Sequence, residues 1–422
     1  MPDLDQRAAI AFLADPASYG PGRQTVERID THCSIVFLAG DRAYKLKRAI
    51  RYAALDYTTR ARRHAACAAE LRLNRRTAPA LYLGSLAIAR AADGRVRFDG
   101  AGEPLDQVVV MRRLHRADLF DRMLLDGRLD ASQFRAVGAA IARLHAGAEI
   151  AAQSGAAAAI GRVIAENARE LALVAGELDG ADVQRLTARG RAALAALAPL
   201  LDRRHAAGRV RRGHGDLRLA NICLFDGAPT LFDAIEFSEE IGCVDILYDF
   251  AFLLMDLCLH GRCDFANIVF NAYLDATRED EGLRCLGLFL ALRAATRGYG
   301  LAGKARRTAD PAARARLRAL ARLHVGAGLR FLEPAAATLI VLQAGADRAE
   351  PMATILAAHA LPAPGARILQ GHGDVSVWRR AESILAAGMS VLLRCEPGDA
   401  TAMARARRLA SRRRVPLLCR AV

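Results

Sequence analysis

The sequence has few aromatic residues and no long apolar run. Phenylalanine, tyrosine and tryptophan make up 5% of the 422 residues, with a single tryptophan. Aromatics this scarce do not form a base-stacking platform, and no RNA- or DNA-reading motif is present, so no specific nucleic-acid partner is expected. No apolar run reaches the roughly 18 residues of a membrane-spanning helix. The segment 246–259 is interrupted by Asp249 and Asp256, so no membrane partner is expected.

Closely spaced cysteine pairs are also missing. The nine cysteines are an odd number without a C-x-x-C motif, and Cys258 and Cys395 lie in apolar runs. This pattern favours free thiols in a reducing compartment over a disulfide framework or a zinc site. The first five residues are polar and acidic, unlike a signal peptide. We therefore expect a cytoplasmic protein.

Acidic residues are fewer than basic ones, 45 against 60, and the formal net charge is +15 at pH 7. Such a charge suits nucleic acid, a membrane surface or an anionic substrate. The arginines are spread along helical stretches such as 303–330 and 402–414, and a solvated basic surface explains them better. With 53% apolar residues, the chain is long enough for two or three globular domains.

One short block concentrates chemically active residues. His214, Asp216 and Asn221 form an H-x-D-x-x-x-x-N arrangement, and Asp233 follows at the end of an apolar run. The spacing from aspartate to asparagine matches the protein-kinase catalytic loop, and Asp233 stands where the second, metal-binding aspartate would be. In phosphoryl transfer, one carboxylate orients or deprotonates the attacking hydroxyl, while an amide and a second carboxylate hold Mg²⁺ on the phosphates. A buried histidine beside a capping aspartate is the alternative interpretation.

The residues between Asn221 and Asp233 have the pattern of a β-hairpin. Strand-like segments at 222–225 and 231–232 surround a turn at 226–229. A hairpin brings its two outer ends together. Since Asn221 precedes the first strand and Asp233 follows the second, we expect both side chains to face one metal ion.

The block from His214 to Asp233 resembles the aminoglycoside phosphotransferase and choline kinase group of kinase-like folds. The segment Asp245-Ile-Leu-Tyr-Asp249-Phe-Ala is similar to a D-x-x-x-D-L-A element of that group. The whole chain further resembles bacterial two-part proteins in which an aminoglycoside-phosphotransferase-like half precedes a small P-loop kinase half. The resemblance implies ATP and Mg²⁺ as cofactors and a hydroxyl-bearing acceptor, and it implies that Asp245 and Asp249 brace the catalytic loop.

The fold class implied is α+β: a two-lobed protein-kinase-like fold followed by a truncated α/β P-loop-like domain. We assign 1–111 to the small lobe, 112–332 to a mainly helical large lobe with the catalytic loop, and 337–422 to the P-loop-like remnant. In this remnant, alternating segments predict a parallel sheet: strands at 337–343, 366–369 and 390–394, and helices at 349–360 and 378–387.

The remnant lacks the residues of a working P-loop. Counting from Gly345, the second glycine position carries Glu350, the lysine position Pro351 and the Ser/Thr position Met352. A phosphate cradle needs backbone N–H groups and one ammonium, and Pro351 supplies neither. We expect a structural or interaction role for this part rather than nucleotide binding by the usual route.

A kinase-like small lobe supplies a strand lysine to the ATP phosphates and a helix glutamate that holds the lysine. Lys45 and Lys47 lie on one face of the third strand, because side chains repeat every two residues. The A-x-K pattern favours Lys45, and Lys47 stays open as the alternative. Glu70 is the only acid in the helix predicted at 58–76 and is the expected partner.

The loop at 31–34 falls where the first hairpin would cover the triphosphate. Thr31 and Ser34 are expected to contact phosphate oxygens, although the loop lacks the glycines of protein kinases. Packing is an equal alternative for His32. Met111 ends an apolar strand and is placed to line an adenine pocket, which is compatible with a core position.

The hypothesis is direct transfer of the ATP γ-phosphoryl group to a hydroxyl of a small-molecule or protein acceptor. Asp216 would orient or deprotonate the hydroxyl, Asn221 and Asp233 would hold Mg²⁺, and His214 would support the loop. Glu236 would lie in the outer shell of the metal or at the surface. The alternatives are a pseudokinase scaffold that binds nucleotide or a partner without turnover, and a basic nucleic-acid-associated protein.

Overall fold

The structure, a computed structural model, describes residues 5–21, 25–52, 55–151, 156–333, 336–343, 364–369 and 374–421. The chain forms two compact units. Unit 1 comprises Met1–Leu129 and Gly213–Cys243, and unit 2 comprises Asp130–Arg212 and Val244–Val422. The block from His214 to Asp233 therefore groups with the N-terminal residues. The segments 1–111, 112–332 and 337–422 divide the chain differently and stay a prediction.

The helices and strands are numbered in chain order. Residues 5–129 contain α1 (Arg7–Ala14), β1 (Val26–Asp30), β2 (Ser34–Ala39), β3 (Arg42–Lys47), β4 (Arg51–Tyr52), β5 (Leu55–Asp56), α2 (Arg60–Asn74), β6 (Tyr82–Arg90), β7 (Val96–Phe98), β8 (Glu103–Arg112) and α3 (Phe120–Leu125). Residues 130–245 contain α4 (Ala131–Ala146), α5 (Ala156–Leu173), α6 (Gly180–Ala206), β9 (Val210–Arg212), β10 (Ile222–Phe225), β11 (Ala228–Leu231), α7 (Glu239–Gly242) and β12 (Cys243–Asp245). Residues 246–421 contain α8 (Ile246–Leu259), α9 (Cys263–Thr277), α10 (Leu286–Arg307), α11 (Pro311–Phe331), β13 (Leu339–Gln343), β14 (Arg367–Leu369), α12 (Val375–Ala386), β15 (Val391–Cys395), α13 (Ala400–Arg413) and β16 (Leu417–Ala421).

Unit 1 is built on a six-stranded antiparallel sheet in the order β1-β2-β3-β8-β6-β7. The strand β8 begins at Glu103, several residues earlier than its apolar pattern indicates. The added part contains Asp106, which is buried and accepts hydrogen bonds from Arg63 at 3.0 Å and from Gln6 at 2.7 Å. Because a buried ion pair occupies this position, the strand does not show continuous hydrophobicity in the sequence.

Alternation along β3 divides its side chains between the two faces of the sheet. Tyr44 and Leu46 pack in the apolar cluster that includes residues of α1. Ala43 packs in the cluster on the opposite face, which includes residues of α2. Since a strand has a side-chain period of two residues, Lys45 and Lys47 share the face of Ala43. The α2 face of the sheet is therefore the charged one.

The helix α2 begins after Thr59, whose side chain accepts a hydrogen bond from the N–H of Arg62 at 3.3 Å. Its buried residues recur at helical spacing on one face: Arg63, Ala66, Cys67, Glu70, Leu73 and Asn74. A buried stripe that contains charged side chains needs charged partners inside the protein, because an unpaired buried charge is strongly unfavourable. The pairing of Arg63 with Asp106 meets this need at one end of α2, and Glu70 must find its partners on the sheet.

The hairpin β10–β11 has the two-residue turn Asp226-Gly227, with φ of 48° and 77°. Positive φ at both central residues is typical of the type I′ turns that join twisted strands. The second strand starts directly after this turn, and Pro229 pairs with Leu224. The sequence analysis placed the turn at 226–229 and the second strand at 231–232. Both bounds were wrong, because the strand covers Ala228–Leu231. Proline is tolerated here because a two-stranded sheet leaves each strand one open edge.

Unit 2 consists of long helices followed by a parallel sheet. Residues of α5, α6, α10 and α11 share one apolar core, to which Leu171, Leu186, Ala295 and Val325 belong. The four strands after residue 338 are all parallel, in the order β14-β15-β13-β16, as alternating strands and helices predict. The helix predicted at 349–360 and the P-loop positions lie outside the described residues, so the P-loop-like nature of this sheet stays a prediction.

The edge strand β14 is attached to the helix α9 by two asparagines one turn apart. Asn267 donates from Nδ2 to the carbonyl of Ala366 at 2.9 Å. Asn271 accepts at Oδ1 from the N–H of Ile368 at 2.8 Å and from Nη1 of Arg367 at 2.9 Å. These amides form hydrogen bonds with backbone groups at the open edge of the sheet. Without such bonds, the edge would be a pairing site for other strands.

Among the described helices, α8 is the most apolar and is almost entirely buried; the buried Asp245 directly precedes it, and the buried Asp249 lies in its first turn. Asp249 contacts Nε2 of His145 at 3.1 Å, and Asp245 contacts Nε of Arg204 at 2.8 Å. These two acids, expected to brace the catalytic loop, thus bind side chains within unit 2. No helix in the described parts of the chain combines the length and apolarity needed to cross a bilayer.

Candidate active site

Four charged side chains gather around Glu70 on the α2 face of the sheet in unit 1. Nζ of Lys45 lies 2.8 Å from Oε1 of Glu70 and 2.6 Å from Oδ1 of Asp233. Nζ of Lys47 contacts Oε2 of Glu70 and Oε1 of Glu236. The side chain of Glu70 is 0% exposed. One buried carboxylate therefore holds both lysines, including the pair of Lys45 and Glu70 that the sequence suggests.

The two lysines differ in their access to solvent. The side chain of Lys45 is 14% exposed and that of its partner Asp233 is 44% exposed. The side chain of Lys47 is 1% exposed, and its partner Glu236 is 7% exposed. Tyr57 also donates a hydrogen bond to Oε1 of Glu236 at 2.5 Å. Lys45 is consequently the more accessible of the two lysines, Lys47 is internal, and Glu236 is not a surface residue.

The charges of this cluster stabilise one another. Burial alone would raise the pKa of Glu70, but the ammonium groups of Lys45 and Lys47 hold that pKa below its ordinary value. Burial would lower the pKa of Lys45, but Asp233 and Glu70 raise it well above the usual range. For Lys47, burial is likewise outweighed by Glu236 and Glu70, and its pKa is raised. Glu70 and both lysines are therefore ionised at neutral pH.

We expect acid to weaken this cluster. The folded-state pKa of Glu70 lies below the ordinary 4.5, so its carboxylate stabilises the fold fully above that pH and loses this contribution as pH falls below it. One proton corresponds to a slope of at most about 1.4 kcal/mol per pH unit in the free energy of unfolding. Urea titrations between neutral pH and about pH 3 should show a shallower decline for Glu70→Gln than for the unaltered protein. Identical slopes would contradict the pairing.

The backbone around Asp233 is held in an unusual conformation. Asp233 has a φ of 62°, in the left-handed region that aspartate and asparagine tolerate better than most residues. Its N–H donates to the hydroxyl of Tyr82 at 3.2 Å, and the N–H of Ala234 donates to Oδ1 of Asn74 at 2.8 Å. These two contacts fix the chain on either side of the carboxylate, which is directed at Lys45.

His214 is fastened to the segment that carries Asp233. Its ring Nε2 lies 2.9 Å from the carbonyl of Phe232, and its own carbonyl accepts from the N–H of Ile235 at 2.9 Å. The residue is 0% exposed, which suits support of the loop better than proton transfer. At Gly215, φ is 85° and a Cβ atom would lie 3.1 Å from Cβ of Ile235, so a side chain would crowd this junction.

Asp216 and Asn221 are in direct contact. Nδ2 of Asn221 donates to Oδ2 of Asp216 at 2.8 Å. Arg218 donates to the same carboxylate through Nε at 2.8 Å and Nη2 at 2.9 Å. Burial would raise the pKa of Asp216, but the guanidinium of Arg218 lowers it to about 2. Sequence reasoning missed Arg218, and a cationic side chain two residues after the aspartate was the available signal.

Asn221 and Asp233 carry oxygen atoms that suit Mg²⁺. The N–H of Phe232 donates to the carbonyl of Asn221 at 3.0 Å, so the hairpin does bring its outer ends together. Asn221 uses Nδ2 for Asp216, which leaves its amide oxygen for a cation, and Asp233 is partly exposed. Carboxylate and amide oxygens suit Mg²⁺, which usually takes one or two protein ligands and completes its shell with phosphates and water. Within the described residues, no group of three or more His, Cys, Asp or Glu forms a metal site. Two oxygen donors from the protein agree in number with the partial binding that Mg²⁺ usually shows.

Thr31 and Ser34 shape the turn between β1 and β2. The hydroxyl of Thr31 donates to the carbonyl of Ser34 at 2.8 Å and accepts from its N–H at 3.0 Å. Ser34 is 1% exposed. The expected phosphate contact through the Ser34 hydroxyl does not suit this burial. The ring of the exposed His32 stacks on that of the exposed Tyr52 at 4.3 Å between centroids, and both interpretations of His32 stay open.

Met111 lies in β8 and is 8% exposed within the apolar cluster on the α2 face. Val36, Leu114, Phe225 and Phe232 are only partly buried and pack against that cluster. Phe225 and Phe232 come from the hairpin that precedes Asp233. Sequence reasoning named Met111 but missed the two phenylalanines, although their places at the ends of the hairpin strands were visible.

Comparison with known proteins agrees with this chemistry. A sequence profile of the family described as "Phosphotransferase enzyme family" matches residues 37–286. An uncharacterised protein of Mycobacterium tuberculosis is 32% identical over 272 residues, which are 64% of this chain and 53% of that protein. A protein of Mycobacterium bovis matches to the same extent. The chain spans about half the length of the curated relatives it matches, 53% in each case.

Two solved structures match a large part of the chain. A choline/ethanolamine kinase family protein from Mesorhizobium loti has 19% sequence identity and a TM-score of 0.45, with 76% of this chain and 97% of that chain covered. Choline kinase from Cryptosporidium parvum has 11% identity and a TM-score of 0.48, with 77% and 94% covered.

Proposed function

Since the chain belongs to the phosphotransferase enzyme family, we propose that it transfers the γ-phosphoryl group of ATP, with Mg²⁺, to a hydroxyl of a small-molecule acceptor. The observation that carries the proposal is the position of Lys45 between Glu70, at 2.8 Å, and Asp233, at 2.6 Å. Phosphoryl transfer depends on positioning and on charge stabilisation around the phosphates. A reachable ammonium, oriented by a buried carboxylate and placed beside a second, partly exposed one, is suited to that task.

The nucleotide would bind through two kinds of contact within unit 1. Lys45 would neutralise phosphate charge, and the partly buried Val36 and Phe225, which pack on the cluster that contains the buried Met111, would contact the adenine. Bound Mg²⁺, held by Asn221 and Asp233, would supply further positive charge to the phosphates. In this interpretation Lys47 and Glu236 do not touch the ligand, because both are buried and paired with each other.

Asp216 would accept a hydrogen bond from the hydroxyl of the acceptor molecule. A carboxylate has about four acceptor positions. Arg218 and Asn221 occupy three of them, two at Oδ2 and one at Oδ1, which leaves a position on Oδ1. The oxygen of the hydroxyl forms the new bond to the γ-phosphorus as the bond to the β–γ bridging oxygen breaks. Since the pKa of Asp216 is only about 2, it would mainly orient the hydroxyl, whose proton is lost late in a loose transition state.

For the parallel sheet after residue 338 we propose a structural role. Its edge strand contributes Arg367, which is 0% exposed and contacts Asp275 at 2.6 Å as well as Asn271 at 2.9 Å. These contacts tie the sheet to α9 within unit 2. The sequence at the expected P-loop, with Pro351 in the lysine position, supports the same view.

The proposal predicts magnesium-dependent binding of ATP that fails in Asp233→Asn. Binding to the folded state alone stabilises a protein by about 2.7 kcal/mol when the ligand is at 100 times its Kd. We therefore expect a clear rise in Tm with ATP and Mg²⁺ together, a much smaller rise with ATP and a chelator, and almost none in the variant. Thermal unfolding followed by dye fluorescence measures all three.

Asp226→Asn is the matched control. Asp226 lies in the same hairpin, also has positive φ, and is exposed at its tip. Asparagine tolerates the left-handed region as aspartate does, so both variants should fold. The control should keep the full ATP response. A response retained in Asp233→Asn, or lost equally in both variants, would overturn the assignment of the metal ligand.

A further inference from the structure

Unit 2 contains a cavity of about 460 Å³ that the proposed reaction does not use. It is lined by the end of α4, the start of β9, the first residue of α8 and the end of α9. Small-molecule sites commonly have about 300–1,000 Å³. Ala142, Ala146 and Ile246 give it apolar walls, while Arg143, Arg209 and Arg211 give it positive charge. None of the described residues that line the cavity is acidic.

The three arginines differ in how their charge is balanced. Arg209 lies 2.9 Å from Oε1 of Glu279, so its charge is paired. Arg211 donates to carbonyl oxygens instead, at 2.9 Å to both Gly208 and Ala146. Arg143 is exposed on α4 and has no carboxylate partner in the described part of the chain. Two guanidinium groups at this cavity therefore lack a carboxylate.

The end of α4 offsets only part of this charge. Arg211 binds the terminal carbonyls of that helix, and a helix C-terminus carries roughly half of one negative charge. More than one net positive charge remains at the cavity. Arg211 is also fixed in place by its hydrogen bonds, so it loses little side-chain freedom when an anion arrives. Nε and Nη1 of Arg211 donate to backbone carbonyls, so Nη2 is the nitrogen left to donate to an oxygen of a phosphate group.

We propose that this cavity binds a small phosphate ester, with the phosphate on Arg143 and Arg211 and the organic part against the apolar walls. The volume far exceeds that of a phosphate ion, and the alanine and isoleucine surface gains nothing from an inorganic anion. The site is separate in composition from the one around Lys45, since all its lining residues belong to unit 2. The inference therefore stands whether or not the proposed phosphotransferase reaction is correct.

Phenyl phosphate, added to the full-length protein with a chelator in place of Mg²⁺, tests the proposal by isothermal titration calorimetry. We expect binding to the unaltered protein, weaker binding of inorganic phosphate, and no binding of phenol. Arg143→Glu should weaken phenyl phosphate binding at least tenfold. Arg135→Glu is the matched control, because Arg135 is an exposed arginine of the same helix that does not line the cavity. Arg135→Glu should change the Kd of phenyl phosphate by less than about twofold, well below the tenfold effect expected for Arg143→Glu.

Three outcomes would overturn the proposal. The first is absence of phenyl phosphate binding at millimolar concentration. The second is an equal loss in Arg143→Glu and Arg135→Glu, which would indicate a general effect of protein charge. The third is binding that Arg143→Glu leaves intact and Lys45→Met removes, which would place the ligand at the Lys45 cluster instead.

Discussion

Lys45→Met is expected to abolish nucleotide-dependent activity while the protein stays folded, and Lys47→Met is expected to unfold it or nearly so. Both lysines bind Glu70, but their other partners differ. Lys45 pairs with the partly exposed Asp233, and Lys47 pairs with the buried Glu236. The structure thus separates two residues that the sequence places on the same face of one strand.

The reason lies in what each substitution leaves behind. Without Lys47, Glu236 loses its only charged partner in the described structure, and Glu70 keeps just one of two. Breaking a buried pair from one side commonly costs about 3–5 kcal/mol, which is a large part of the stability of most proteins. Without Lys45, Glu70 still binds Lys47, and Asp233 can be solvated. The loss of stability should be smaller, but the ammonium for the phosphates is gone, and removal of one such electrostatic group commonly lowers turnover about 10²–10³-fold.

Urea unfolding and ATP turnover, measured on the same preparations, provide the two readouts. Lys304→Met is the control, since Lys304 is an exposed lysine at the end of α10. It should change neither the free energy of unfolding nor turnover. If Lys47→Met were stable and inactive while Lys45→Met were stable and active, the roles assigned to the two lysines would have to be exchanged.

The rarity of lysine in this chain also indicates the position of the site. The chain has only three lysines among 60 lysine and arginine residues, and two of them are Lys45 and Lys47. Arginine serves nearly everywhere else as the cation. An ammonium is compact and can bind several carboxylate or phosphate oxygens at one point, whereas a guanidinium needs a planar fork. Two lysines close together in such a chain indicate a site where the smaller cation is required.

Local patterns predicted much of unit 1. The sequence pattern predicts a helix at 7–14 and strands at 34–39 and 42–47, and the structure has these three elements with the same bounds. The resemblance drawn from His214 to Asp233 is confirmed by the family match. The assignment of individual residues to catalysis, metal or nucleotide stays a proposal.

What the sequence did not predict depends on which residues pair with one another. The early start of β8 follows from the buried pair of Asp106 and Arg63, which lie 43 residues apart. The bidentate contact of Arg218 with Asp216 depends on side-chain direction in a loop without regular period. Pro229 in β11 depends on the hairpin having only two strands. In each case a specific side-chain or strand partner, which apolar periodicity does not reveal, decided the outcome.

Asp216→Asn should remove turnover and leave nucleotide binding unchanged. The amide has the shape of the carboxylate but no charge, and it cannot accept both hydrogen bonds of Arg218 in the same way. Loss of the group that orients or deprotonates a nucleophile commonly lowers the rate by about 10²–10⁴-fold. Slow release of ADP from ATP and Mg²⁺ without an acceptor measures turnover, and the rise in Tm with ATP and Mg²⁺ measures binding. Asp226→Asn should match the unaltered protein in both assays.

The pH dependence of turnover is a second test of the role of Asp216. The pKa of Asp216 is about 2 because Arg218 stabilises the charged form, so Asp216 stays ionised until the pH approaches that value. If turnover falls with increasing acidity at a higher pH, the protonation of other groups is therefore the cause. Arg218→Gln removes the cation and should shift the pKa of Asp216 upward, towards the ordinary 3.8, so that an additional loss of turnover appears below about that pH. Nucleotide binding without any ADP release by the unaltered protein would instead support a pseudokinase scaffold, and unchanged turnover in Asp216→Asn would remove Asp216 from the mechanism.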